Sequence, residues 1–189
     1  MMFKRYLVMA AVVAGIAAAP AAGQAASDAE TLLSAVKDND PGKAMTVIRN
    51  KPTIVNARNQ SGETALSVAV ARRDDDWMSF LLAHGADPNA AARSGDTPLI
   101  IAARLGYTTG AAHLAARKAK IDGTNKQGET PLIVAVQQRQ LPMVRLLLGA
   151  GADPNKTDNA AGYSARDYAK RDPRAREILR LIEARKPKP

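Results

Sequence analysis

The chain has 189 residues, 46% of them apolar and 24% charged, with 11 Pro, 13 Gly and no Cys. That composition excludes a wholly disordered chain, a collagen-like fibre and a disulfide scaffold; without cysteine, a thiol nucleophile, a CxxC redox pair, an iron–sulfur cluster and a thiolate zinc site are excluded as well. The formal net charge is +9, which points towards anionic partners, while an aromatic content of 4% argues against a stacking platform for nucleic acid.

Lys4 and Arg5 precede an uncharged, mostly apolar run of 14 residues, Tyr6 to Ala19. Pro20 ends the run, and small residues follow through Ala26. This is the layout of a secretory signal peptide. The run is shorter than the ~20 apolar residues a membrane-spanning helix needs. Gly23 and Ala25 put small residues at the −3 and −1 positions, so residues 1–25 are expected to be removed after Ala25. The alternative is an uncleaved N-terminal anchor. No Cys follows the apolar run, which excludes a bacterial lipoprotein anchor. The short, Ala-rich leader looks bacterial and suggests the periplasm. The mature chain would carry +7 and would depend on packing alone for its stability.

Beyond the leader the sequence has a period. Gly62, Gly95 and Gly128 are 33 apart, and Gly162 follows after 34. Thr31, Thr64, Thr97 and Thr130 step by 33, with Ser164 next after a one-residue insertion. Asn56, Asn89, Asp122 and Asn155 step by 33 as well. Three registers with one period define a repeat, the first thing to seek in any chain.

Each unit predicts two helices. Gly128-Glu129-Thr130-Pro131-Leu132 places Thr at an N-cap, Pro at the first helical position and Leu inward. Gly95 to Leu99 repeats this, and Gly62 to Leu66 keeps it without Pro. Small residues at Ala69, Ala102 and Ala135 let neighbouring units approach. A second helix carries apolar residues at helical spacing: Met78, Leu81 and Leu82 in one unit, Val144, Leu147 and Leu148 in another. Gly85 and Gly151 then supply left-handed C-caps. A turn-rich exit, Ala86 to Asn89 or Ala152 to Asn155, leads to the next unit.

Gly-x-Thr-Pro-Leu at 95–99 and 128–132, with Gly-Ala-Asp-Pro-Asn at 85–89 and 151–155, resembles the ankyrin-repeat family. The resemblance covers residues 28 to about 183. It implies an all-α solenoid of helix-turn-helix units joined by β-hairpin-like loops. Within an ankyrin-repeat domain at 26–183, internal repeats fall at 57–89, 90–122 and 123–155. Residues 28–56 form an N-terminal capping repeat (Leu32, Leu33 and Val36, then Met45 and Ile48) and 156–183 a C-terminal one with Ile178, Leu179 and Ile182 inward. Polar end units are what a stacked array requires. One departure stands out. The family's Thr-Pro-Leu-His turn normally ends in His, yet Ser67, Ile100 and Ile133 stand there. The loops are therefore expected to be held more by packing than by a hydrogen-bond network. Repeat three, with its Ala-rich second helix (Ala111, Ala112, Leu114, Ala115, Ala116), is expected to be the least stable unit.

Catalytic, cofactor and metal constellations are not found, so no enzyme and no cofactor is expected. His84 precedes a C-cap Gly, and His113 lies in a helix of repeat three; both read as structural or surface residues. There is no HxxxH or HExxH, no Gly-x-Ser-x-Gly elbow and no phosphate loop. Gly149-Ala150-Gly151 reads as a helix end. Asp74-Asp75-Asp76 reads as an inter-helix loop with an N-cap, the competing reading being a weak divalent-cation site.

In the family, partners contact the hairpin tips and the exposed positions of the first helix. The resemblance carries these onto Arg58, Gln60, Ser61, Glu63, Ala71 and Arg72 in repeat two. In repeat three they are Ala91, Arg93, Ser94, Asp96, Arg104 and Leu105. In repeat four they are Thr124, Lys126, Gln127, Glu129, Gln137 and Gln138. Arg72, Arg93 and Arg104 are expected near one another at mid-groove, with Lys126 beside them. Arginine there suits carboxylates. Trp77 reads as packing on the side away from the groove. The expected function is a non-enzymatic, exported module for a protein partner, acidic partners among the candidates, with no nucleic acid, no stable membrane span after cleavage and a monomeric state. The alternative is an envelope protein held to anionic lipid or polymer by its basic end. Residues 170–189 have eight basic and three acidic residues, against 17 and 15 in 26–169, and 184–189 read as a basic disordered tail.

Overall fold

The computed structural model describes residues 22–184, with side chains from residue 28 onward. The apolar run of the expected signal peptide and residues 185–189 of the tail lie outside the described residues. Among the described residues ten α-helices pack in five successive pairs: α1 (Ala22–Asp38) and α2 (Pro41–Asn50), α3 (Ala65–Ala71) and α4 (Asp75–Ala83), α5 (Pro98–Leu105) and α6 (Thr108–Ala116), α7 (Pro131–Gln137) and α8 (Leu141–Gly149), α9 (Ala165–Arg171) and α10 (Arg176–Glu183). Short 3₁₀ turns follow α2 at Pro52–Asn56 and precede α10 at Pro173–Ala175.

The helices start where the threonines are. Thr64 Oγ1 accepts from the Ser67 N–H at 3.1 Å, Thr97 Oγ1 from Ile100 at 3.3 Å, and Thr130 Oγ1 from Ile133 at 3.1 Å. Ser164 does the same for Asp167 at 3.2 Å. Pro98 and Pro131 occupy the first turn, where a missing N–H costs nothing. Thr31 shares the register but sits inside α1. The reason lies two residues back, where Ala29 replaces the glycine of the other units. Without that turn the helix runs on, and the cleavage point expected after Ala25 falls within its first turn.

Stacking of the pairs buries one continuous core. First helices pack in a row, α1 on α3, α3 on α5, α5 on α7 and α7 on α9. Second helices line up behind them from α4 to α10. Leu33, Leu66, Leu99 and Leu132 repeat at the period and are buried, as are Leu81, Leu114 and Leu147. Each such leucine contributes about 1.5–3 kcal/mol by leaving water. Between them Val36, Ala69, Ala102, Ala135 and Ala169 keep the first helices close. Trp77 is buried in α4, and its indole N–H donates to Asn39 Oδ1 at 2.7 Å, so it packs the back of the array.

Packing was expected to hold the loops more than hydrogen bonds do; a hydrogen-bond network nevertheless runs through them. Asn59 Oδ1 accepts the Glu63 N–H at 2.8 Å while its Nδ2 donates to Glu63 Oε2. Asn125 accepts from Gln127 and Glu129, both at 3.0 Å. Asp158 accepts the N–H groups of Ala161, Gly162 and Tyr163. These buried polar residues fall at one register, with Ala92 between Asn59 and Asn125. They tie each loop together without the His that is missing from the helix that follows. In the unit with Ala92, Ser94 Oγ accepts the Asp96 N–H instead, at 3.2 Å.

Successive units are also laced together. Asn56 Oδ1 accepts the Asp87 N–H, Asn89 Oδ1 that of Lys120, and Asp122 Oδ1 that of Asp153. The Asn/Asp register legible in the sequence is therefore a ladder of hydrogen bonds, each running from one unit to the next.

Candidate partner-binding face

The first helices and the hairpins bound one face of the array. Between repeats one, two and three it holds a cleft of about 400 Å³ lined by Lys37, Glu63, Ser67, Ala71, Arg72 and Ile101 among others. Ala71 and Arg72 are exposed at the end of α3, so the cleft opens to solvent.

The structure separates the expected cations into two kinds. Arg104, exposed at the end of α5, reaches Asp96 Oδ2 at 3.2 Å and Glu129 Oε2 at 3.7 Å. Asn125 Nδ2 bridges the same two carboxylates at 2.8 Å each. Arg104 is thus neutralised from inside. Arg72, Arg93 and Arg58 instead donate to carbonyl oxygens: Lys37 O at 3.2 Å, Gln60 O at 2.5 Å and Ala91 O at 2.9 Å. A carbonyl orients a guanidinium without cancelling its charge. Among the described residues none of these three arginines, nor Lys126, forms an ion pair.

Each cation therefore belongs to a different neighbour. Arg72 reaches back to α1, Arg93 ties its hairpin to the one before, and Arg104 spans two hairpins. Lys37 Nζ lies 3.8 Å from Glu63 Oε2. Gln60, Ser61, Ser94, Lys126 and Gln127 are exposed at the hairpin tips, and Gln137 and Gln138 at the end of α7. The Gln127 carbonyl accepts the Asn159 N–H of the next hairpin at 2.8 Å, extending the surface into the last unit.

Other sequence candidates have local partners. Asp74 Oδ1 accepts the Trp77 N–H at 3.0 Å as the N-cap of α4. Asp75 accepts from the Tyr107 hydroxyl, and His113 Nδ1 lies 3.7 Å from the same carboxylate. Burial first, and then this bond, push the Tyr107 hydroxyl far above its ordinary pKa. His84 Nδ1 faces Phe80 O at 2.7 Å, and its ring packs on Phe80. Among the described residues no group of His, Cys, Asp or Glu could hold a metal ion, and no helix is long and apolar enough to cross a membrane.

Paired short helices, a hairpin before each pair after the first and one continuous core define an all-α repeat solenoid among the described residues. Two family models match the chain, one described as ankyrin repeats in three copies over residues 93–158, the other as ankyrin repeats in many copies over 47–102. Together they span more than half of the sequence, and the chain belongs to the ankyrin-repeat family. A search of curated proteins found no match. Ankyrin repeats are in general protein–protein interaction modules and typically non-enzymatic.

Proposed function

We propose that this chain is an exported, non-enzymatic binding module that holds an acidic protein partner against its first helices and hairpin tips. The observation that carries the reading is the set of cations at Arg58, Arg72, Arg93 and Lys126, exposed and without carboxylate partners among the described residues. Uncompensated guanidinium groups held in fixed orientation are suited to carboxylates on a partner, which they can bind in bidentate fashion. Export to a periplasm rests on the basic residues, apolar run and small-residue site at the N-terminus.

The test is capture from envelope extract with the intact chain beside an Arg72→Glu/Lys126→Glu variant. Arg104 is unsuited to this experiment, because reversing it would leave Asp96 and Glu129 unpaired. One protein retained by the parent and lost with the variant supports the module. Equal retention of anionic material by both, stripped by salt from both, would favour attachment through the basic C-terminal region instead.

A further inference from the structure

The sequence suggests that the last unit merely closes the array; its geometry points to a more active part. Asp96 of the hairpin and Arg104 of the first helix form an ion pair in repeat three. After the one-residue insertion, the same two registers in the last unit hold Tyr163 and Arg171. A tyrosine cannot neutralise the arginine. Instead the Arg171 guanidinium lies over the Tyr163 ring, 4.4 Å from its centroid. The Tyr163 ring is itself braced edge-on by Tyr168 at 5.6 Å, and the Tyr168 hydroxyl donates to buried Asp158 at 2.6 Å. Arg171 is exposed, both rings are half-buried, and Arg171 forms no ion pair among the described residues.

We infer that Tyr163 and Arg171 form the anchor of the binding face, taking an acidic side chain of a protein partner at the guanidinium and an apolar neighbour of that side chain against the tyrosine ring. With Tyr163 at the register that Asp96 occupies in repeat three, the arginine has no carboxylate partner among the described residues and is left facing solvent. The Arg171 side chain makes no hydrogen bond or ion pair among the described residues, so its N–H groups remain for bidentate binding. Its planar orientation is set before the partner arrives, which lowers the ordering cost of association. Tyr and Arg are also the residue types that dominate binding energy at interfaces. The inference rests on the proposed acidic partner and adds where that partner is gripped most firmly.

The probe is a short fluorescein-labelled peptide of Glu and Leu residues, with a Gln-for-Glu counterpart as control. Its binding to the intact chain is followed by fluorescence polarisation at physiological salt. Arg171→Ala and Tyr163→Ala are each expected to weaken binding about tenfold. Arg171→Lys should recover only part of the loss, since it keeps the charge and loses the stacked plane. Arg180→Ala, removing an exposed cation of α10, should change little. Circular dichroism melts would identify any variant that fails to fold. Normal binding by Arg171→Ala, or equal loss with Arg180→Ala, overturns the anchor. If Arg72→Glu weakens binding while Arg171→Ala does not, the proposed face survives and the anchor fails. The converse result keeps the anchor and discards mid-groove binding. Failure of the peptide to bind, or equal binding of the Gln counterpart, removes both.

Discussion

Asp158 is buried in the last unit, yet it is the most heavily hydrogen-bonded carboxylate there. Burial alone would raise its pKa, but the Tyr168 hydroxyl and three backbone N–H groups outweigh burial and hold it below the usual carboxylate range. Asp167, bonded chiefly to Ser164, and Asp172, bonded chiefly to the Arg174 N–H, are shifted down as well. A carboxylate with a depressed folded pKa stabilises the fold above the unfolded value of about 4. That contribution fades as pH falls below about 4 and through the folded value. The last unit should therefore open first in acid. Asp158→Asn keeps the hairpin acceptor, as Asn59 and Asn125 show in the units before it, and removes the ionised group. Thermal melts between pH 6 and pH 2 should show a shallower acid loss in this variant; an unchanged slope would mean that Asp158 is not the group responsible. Residue by residue, the capping threonines were legible because cap chemistry is local. The register of Asn59, Asn125 and Asp158 was not, because Asn and Asp in a loop look like ordinary turn composition and Ala92 interrupts the series.

At the level of elements, α6 and α8 have equal length and different means of staying folded. The α8 helix buries Met143, Val144, Leu147 and Leu148. The α6 helix buries Gly110, Ala111 and Leu114, and the space is filled by Tyr107, which packs directly against Gly110. Its exit is strained too. Lys118 has φ +65° at the register where Gly85 and Gly151 stand, a conformation costing an L-residue roughly 1–2 kcal/mol. Less apolar burial and a strained C-terminus both lower the free energy of local opening. Amide exchange should be faster in α6 than in α8, and Lys118→Gly should slow it. Equal protection of the two helices would refute this ranking. The sparse apolar burial of α6 was legible in its Ala-rich composition; Tyr107 as its filler was not, because a residue before a helix gives no sign of folding back over it.

The molecule as a whole is a line of units, so its stability depends on each unit's coupling to the next as well as on the units themselves. The period assigned residues to the proposed binding face, but register alone could not distinguish a cation neutralised inside the array, such as Arg104, from one left facing solvent, such as Arg72. That distinction depends on which side chains the stacking brings together. The same stacking can be tested with two glycines of nearly equal φ. Gly85, at φ +88°, has open space where a Cβ would project. Gly95, at φ +87°, would place that Cβ 2.7 Å from the backbone nitrogen of Lys126 in the next hairpin. Gly85→Ala should cost only the left-handed strain, about 1 kcal/mol. Gly95→Ala carries the same strain and must also push two hairpins apart, adding about 1–3 kcal/mol as overpacking does. Because neighbouring contacts carry the cooperativity, the damage at Gly95 should also divide the array, broadening the urea transition or splitting it between the units before and after this junction. Gly85→Ala should shift the midpoint and leave the slope unchanged. If both variants shift the midpoint equally at constant slope, the junction between these hairpins does not couple the two halves.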